Sequence, residues 1–245
     1  MVSKYRSRRF FACTFACGLW LVVTPARGYD QKVNSATKPV PRAEKWWTDR
    51  HQGFVELAKK GNIDVLFVGD SITQAWGREG KKIWTEQYAP LKAANFGISG
   101  DQTQHVIWRL REGKELTGIN PKVVVLMIGT NNMGRNNSEE IAEGITAIAH
   151  ELTHQLPQSK ILLLGIFPRR PSAGDPARAK IKDVNQRIAK LDDGKHVRYL
   201  DIGEKFLESD GTLTKEVMPD FLHLTPKGYK IWADAIQPAV SEMLR

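Results

Sequence analysis

Four short strings hold the residues able to do chemistry. Gly69-Asp70-Ser71-Ile72-Thr73 offers a hydroxyl, and Gly97-Ile98-Ser99-Gly100-Asp101 offers an unobstructed backbone N–H. Gly129-Thr130-Asn131-Asn132 offers a side-chain amide, and Asp220-Phe221-Leu222-His223 an imidazole three residues after a carboxylate. Together these residue types describe acyl transfer. A serine hydroxyl is a weak nucleophile until a base accepts its proton. The base is usually a histidine held in one tautomer by a carboxylate. The tetrahedral oxyanion then needs preformed donors, each worth about 3–4 kcal/mol. Ser71 is the candidate nucleophile, His223 the base and Asp220 its orienting acid. The N–H groups of Ser71 and Gly100 and the amide of Asn131 are the candidate oxyanion donors. Singly, each residue also has an ordinary role. Ser71 or Asp70 caps a helix, Gly97 and Gly100 shape a turn, Asn131 forms one, and His223 sits on a surface. The other histidines (His51, His105, His150, His154, His196) show no comparable acid pairing and read as solvated or packed.

These strings need elements to position them. Val65–Val68, Val123–Ile128 and Ile161–Ile166 are short apolar runs rich in branched residues, as strands buried on both faces of a parallel sheet are. Ala93–Phe96 and Val197–Leu200 are weaker runs of the same kind. Helical patterning covers 45–60, 104–111, 138–156, 177–191 and 226–244. Strand and helix alternate from residue 65 onward, which predicts a three-layer α/β/α domain with a central parallel sheet. Ligands of such folds sit beyond the carboxyl ends of the strands, where the first three strings fall.

Composition bounds the rest. The 245 residues fit one domain, and 41% hydrophobic with 26% charged residues is ordinary for a globular chain. Lys4, Arg6, Arg8 and Arg9, the apolar run from Phe10 to Val23, and Thr24-Pro25-Ala26 follow the order of a secretory signal. The expected organisation is a signal at 1–26, a linker or extended arm at 27–44 and the catalytic domain at 45–245. A secreted or periplasmic protein with no stable membrane anchor is expected. Without residues 1–26, Lys+Arg falls from 36 to 32 against 27 Asp+Glu, a net charge of +5 rather than +9. With no dense basic block, nucleic acid is not an expected partner. Both cysteines, Cys13 and Cys17, leave with the same segment.

The four strings in this order resemble the SGNH (GDSL-like) hydrolases, whose blocks supply Ser, Gly, Asn and His. Within them the likeness is to the branch of the platelet-activating-factor acetylhydrolase catalytic subunits. Asn95-Phe96-Gly97-Ile98 running into His105-Val106-Ile107-Trp108-Arg109-Leu110 carries that likeness, as does Gly129-Thr130-Asn131-Asn132. The resemblance spans roughly residues 45–243. It implies a flavodoxin-like fold, no cofactor and no metal, a Ser71-His223-Asp220 triad, and an oxyanion hole from Ser71, Gly100 and Asn131. It also implies a carboxylic ester of a carbohydrate or lipid as substrate, with short acyl groups such as acetyl favoured, and leaves a homodimer open. Two positions depart from the common pattern: Ser-Ile-Thr stands for Ser-Leu, and Asn131-Asn132 for Asn-Asp. The donor at 131 is kept, so activity is expected to be kept. Two other readings remain: a non-catalytic carbohydrate-binding module on this fold, and a metal-dependent phosphatase using Asp70 and the 129–132 loop.

Overall fold

The computed structural model describes residues 1–2 and 33–245; residues 33–245 form one compact unit. Its centre is a five-stranded, wholly parallel sheet in the order β2-β1-β3-β4-β5. The strands are β1 (Val65–Gly69), β2 (Ala93–Gly97), β3 (Val123–Met127), β4 (Lys160–Leu164) and β5 (Val197–Leu200). This is the flavodoxin-like order, which reverses direction at β1. The apolar runs became strands because they are short and buried on both faces; all five residues of β1 and of β3 are buried.

Alternate strand residues face opposite layers. Leu66, Val68, Val124, Leu126, Ile161 and Leu163 pack with α1 (Lys45–Lys59) and with three helices that follow β2, β3 and β4. Val65, Phe67, Val123, Val125, Leu162 and Leu164 pack on the opposite layer, built largely from the C-terminal helix and an aromatic cluster of Trp76, Tyr88, Tyr229 and Trp232. The expected α/β/α sandwich is the one observed. A single turn, α2 (Ser71–Gln74), follows β1, and α3 (Lys81–Ile83) runs into a π-turn at Trp84–Tyr88. The longer helices are α4 (Thr103–Arg111), α5 (Ser138–Gln155), α6 (Pro176–Ile188) and α7 (Pro226–Met243). Asn137 and Glu140 form a capping box at α5, and Pro226 opens α7, where its missing N–H is not needed.

The stretch read as a linker or arm at 27–44 is described from residue 33, and there it is held to the domain. Ala36 is fully buried, and its carbonyl accepts the Thr103 hydroxyl at 2.7 Å. The Ser35 hydroxyl accepts from Asn136 at 2.9 Å, and Arg42 Nη1 donates to the Ser99 carbonyl at 2.8 Å. Its backbone and small side chains serve as hydrogen-bonding partners. The signal reading at 1–26 and residues 27–32 of the arm lie outside the described residues, apart from Met1 and Val2. Among the described residues no helix is long and apolar enough to cross a membrane.

Candidate active site

The loops leaving β1, β2 and β3 meet beside the turn before α7. Asp70 follows β1 and caps α2: its Oδ1 accepts the Ile72 N–H at 2.9 Å. Ser71 is thereby the first helical residue, with an N–H that the helix itself cannot use. Its Oγ lies 3.0 Å from His223 Nε2, across 152 residues of sequence. His223 Nδ1 lies 2.6 Å from Asp220 Oδ2. Burial pushes the Asp220 carboxyl up, but hydrogen bonds from His223 and the backbone N–H groups of His223 and Leu222 outweigh it and hold the group below its ordinary value. An ionised Asp220 only accepts, so the imidazole proton sits on Nδ1 and Nε2 is left to accept from the Ser71 hydroxyl.

The 220–223 turn is made by a residue in an uncommon conformation. Phe221 has φ +58°, in the left-handed region that branched and bulky residues avoid. Its carbonyl accepts the Arg170 N–H at 3.0 Å, and its N–H donates to the Met218 carbonyl at 3.0 Å. This reversal lets Asp220 Oδ1 accept from both Leu222 N (3.1 Å) and His223 N (2.8 Å) while Oδ2 meets the ring. Strain held by its surroundings is common at sites that must pre-organise.

The other two oxyanion candidates, Gly100 and Asn131, stand on the segments that follow β2 and β3. Asp101 N donates to Ile98 O at 3.2 Å, closing a turn with Gly100 at φ +77° in its third position. That conformation is the one a type II turn reserves for glycine. A Cβ on Gly100 would also stand 2.8 Å from Arg42 Nη1. Gly97 is needed for a different reason: a Cβ there would stand 2.3 Å from Gln74 N, so glycine lets the α2 turn rest on the end of β2. Asn131 Nδ2 donates to the Asp101 carbonyl at 2.9 Å and faces Asp70 Oδ2 at a long 3.4 Å. The second contact is weak enough to yield to a stronger acceptor. Gln102 Nε2 holds the Asn131 carbonyl at 3.0 Å. Asn132, the departure from the common pattern, is fully buried; it donates to Thr103 Oγ1, Gln104 and Asn136 and accepts from Thr103 N.

Of the five residues singled out from sequence, Ser71, His223 and Asp220 form one hydrogen-bonded line, and Asn131 bonds to Asp101, the residue after Gly100, and faces Asp70, the residue before Ser71. Several neighbours did not show in the sequence. Arg169, just past β4, donates to the Thr130 carbonyl at 3.2 Å and pins the residue before Asn131. His51 is not without an acid partner, as the sequence reading had it: its Nδ1 lies 2.7 Å from Glu115, 64 residues away, and both are buried. Sequence proximity could not reveal that pair. Among the described residues no group of three or more His, Cys, Asp or Glu stands in an arrangement able to hold a metal ion.

Asp70 is fully buried beside the oxyanion candidates. Burial pushes its carboxyl up to about 7; the Ile72 N–H opposes this, and the Asp101 charge adds to it. Between about pH 4 and 7 the folded chain therefore keeps a proton that the unfolded chain has released. The stability this contributes is complete below about pH 4 and is lost as pH rises through about 7. Asp70→Asn is neutral throughout and keeps an acceptor for Ile72. From pH 4 to pH 8 its stability relative to the parent is expected to rise by as much as about 4 kcal/mol in urea titrations. A difference that does not change with pH would show Asp70 ionised throughout.

The model of the GDSL-like lipase/acylhydrolase family matches residues 67–231. The chain is 43% identical over 199 residues to platelet-activating factor acetylhydrolase IB subunit alpha2 of Rattus norvegicus, covering 81% of this chain and 85% of that one. Among solved structures, a GDSL-like lipase from Bacteroides thetaiotaomicron superposes with a TM-score of 0.61 at 22% identity, over 81% of this chain and 97% of that one. An acetylxylan esterase from Geobacillus stearothermophilus does so with a TM-score of 0.59 at 20% identity, over 73% and 94%. The relatives correct the expectation of a secreted or periplasmic protein, since the acetylhydrolase IB subunits are cytosolic. The basic-then-apolar order of residues 4–26 is a hydropathy pattern, and it does not by itself distinguish a signal from another short apolar stretch. The chain belongs to the GDSL-like lipase/acylhydrolase family and is an ester-hydrolysing enzyme.

Proposed function

We propose that the enzyme removes short acyl groups, acetyl above all, from a lipid or carbohydrate alcohol through an acyl-enzyme on Ser71. His223 takes the Ser71 proton as Oγ attacks the ester carbonyl, and Asp220 holds the ring and stabilises the imidazolium. The Ser71 and Gly100 N–H groups and the Asn131 amide receive the oxyanion. His223 then returns the proton to the leaving alkoxide. The same histidine activates the water that releases the acid and restores Ser71. The observation that carries this reading is the unbroken line from Ser71 Oγ through His223 to Asp220, at 3.0 and 2.6 Å. The acetyl preference is supported by the relatives, whose names specify acetyl esters.

The test is hydrolysis of p-nitrophenyl acetate, butyrate and octanoate by the purified protein, with and without chelator, followed by an acetylated xylooligosaccharide and an acetylated ether phospholipid. Expected are kcat/KM values at least about tenfold higher on acetate than on octanoate, unaffected by chelation. Equal or faster turnover of octanoate would remove the short-acyl assignment. The two natural-type substrates decide between carbohydrate and lipid.

A further inference from the structure

A buried ion network lies beneath the Ile98–Asp101 turn. Arg109, on α4, is fully buried among apolar neighbours. Its Nη1 donates to Asp101 Oδ2 at 2.8 Å, and its Nη2 to the Phe96 carbonyl at 2.6 Å. Nε and Nη2 also grip Glu115, at 2.8–3.0 Å. Asp101 Oδ1 accepts the Trp47 indole N–H at 2.7 Å, and the Gly97 carbonyl accepts Arg50 Nε at 2.8 Å. Burial would pull the guanidinium down, but Glu115 and Asp101 hold it above its ordinary value, so it stays charged. One planar group thus ties the chain entering the turn to the residue leaving it. That residue, Asp101, also presents the carbonyl that accepts Asn131 Nδ2.

We propose that Arg109 is a positioning residue for ester hydrolysis: by clamping Phe96 and Asp101 it sets the Gly100 N–H and, through the Asp101 carbonyl, the Asn131 amide. This rests on reading Gly100 and Asn131 as oxyanion donors. Exchanging a buried ion pair for apolar residues is often neutral in stability, so stability alone is a weak reason for such a network. Imposed geometry is the stronger one, because a misplacement of about 1 Å at a site can cost about a hundredfold in rate. Lysine cannot replace the clamp. Its single ammonium does not reach coplanar acceptors on three sides.

The experiment compares Arg109→Lys, Asp101→Asn and Asn131→Ala with the parent on p-nitrophenyl acetate, well below each protein's melting temperature. Phosphonylation of Ser71 by a fluorophosphonate, which forms a tetrahedral adduct, is timed in parallel. Glu115→Gln, which touches Arg109 but not the turn, reports a purely structural effect. Expected for Arg109→Lys is a kcat about 10- to 100-fold lower, KM within about threefold, and phosphonylation slowed to match. The Arg109→Lys, Asn131→Ala double variant should lose less than the product of the two. Glu115→Gln should lose melting temperature but little kcat. If Arg109→Lys does not fold, Asp101→Asn, which keeps size and carbonyl, carries the same expectation. Parent-like kcat in Arg109→Lys or Asp101→Asn, with Asn131→Ala down a hundredfold, overturns the clamp and leaves the oxyanion reading standing. Parent-like kcat in Asn131→Ala overturns that reading and the proposal with it.

Discussion

Ser71→Ala is expected to lower kcat on p-nitrophenyl acetate by about a millionfold, the scale on which a serine hydrolase loses its nucleophile. The change removes one oxygen and one 3.0 Å contact, to His223 Nε2. It leaves the local structure in place, because the cap of α2 is the Asp70 carboxylate and not the Ser71 hydroxyl. Alanine is also an excellent residue for the first turn of a helix. Thermal unfolding should therefore shift little, and lost activity cannot be assigned to a lost fold. What remains is direct attack by water with His223 as base, assisted by the surviving oxyanion donors. Such residual catalysis runs about 10³–10⁴ above the uncatalysed rate. Ester turnover by the alanine variant above about 1% of the parent would place the nucleophile elsewhere.

The legible part of this protein is the part in which local pattern and global position coincide. The strands could be read because a parallel sheet covered on both faces makes continuous apolar runs, as at Val123–Met127. Each of the first three chemical strings could then be placed, since each follows such a run. Asp220 and His223 could be paired because they are three residues apart and a turn suffices to join them. The segment from Ala75 to Leu91 was not legible. It folds as short helical pieces and a π-turn, whose aromatic side chains Trp76 and Tyr88 insert into a cluster with no sequence periodicity. The support of the site was equally hidden. Arg109 sits on the same helix as buried Val106, Ile107 and Leu110, and a charged residue on an apolar face reveals its burial only when its partners are seen. Those partners come from 6 to 13 residues away along the chain, and α1 adds Trp47 and His51 from much farther.

Asp220→Asn is expected to be more damaging than Asp220→Ala, although asparagine is the closer copy. In the parent, Oδ1 accepts two backbone N–H groups and Oδ2 accepts the proton on His223 Nδ1. Asparagine has one oxygen, and the backbone N–H groups of Leu222 and His223 will claim it. Its NH2 group is then turned toward His223 Nδ1, where only a deprotonated nitrogen can receive it. That selects the tautomer with the proton on Nε2, which cannot accept the hydroxyl proton of Ser71. The same substitution in a well-studied protease lowers kcat about 10⁴-fold by this route. Alanine leaves Nδ1 open to solvent, and the Asp220 side chain is 54% exposed, so water can take its place as acceptor. The loss for Asp220→Ala should accordingly be smaller than for Asp220→Asn, by about tenfold or more. The comparison is read in kcat at pH 8, with the position of the imidazole protons followed by nitrogen NMR of labelled histidine. Equal losses in the two variants would mean that the carboxylate acts through its charge alone and not by fixing the tautomer.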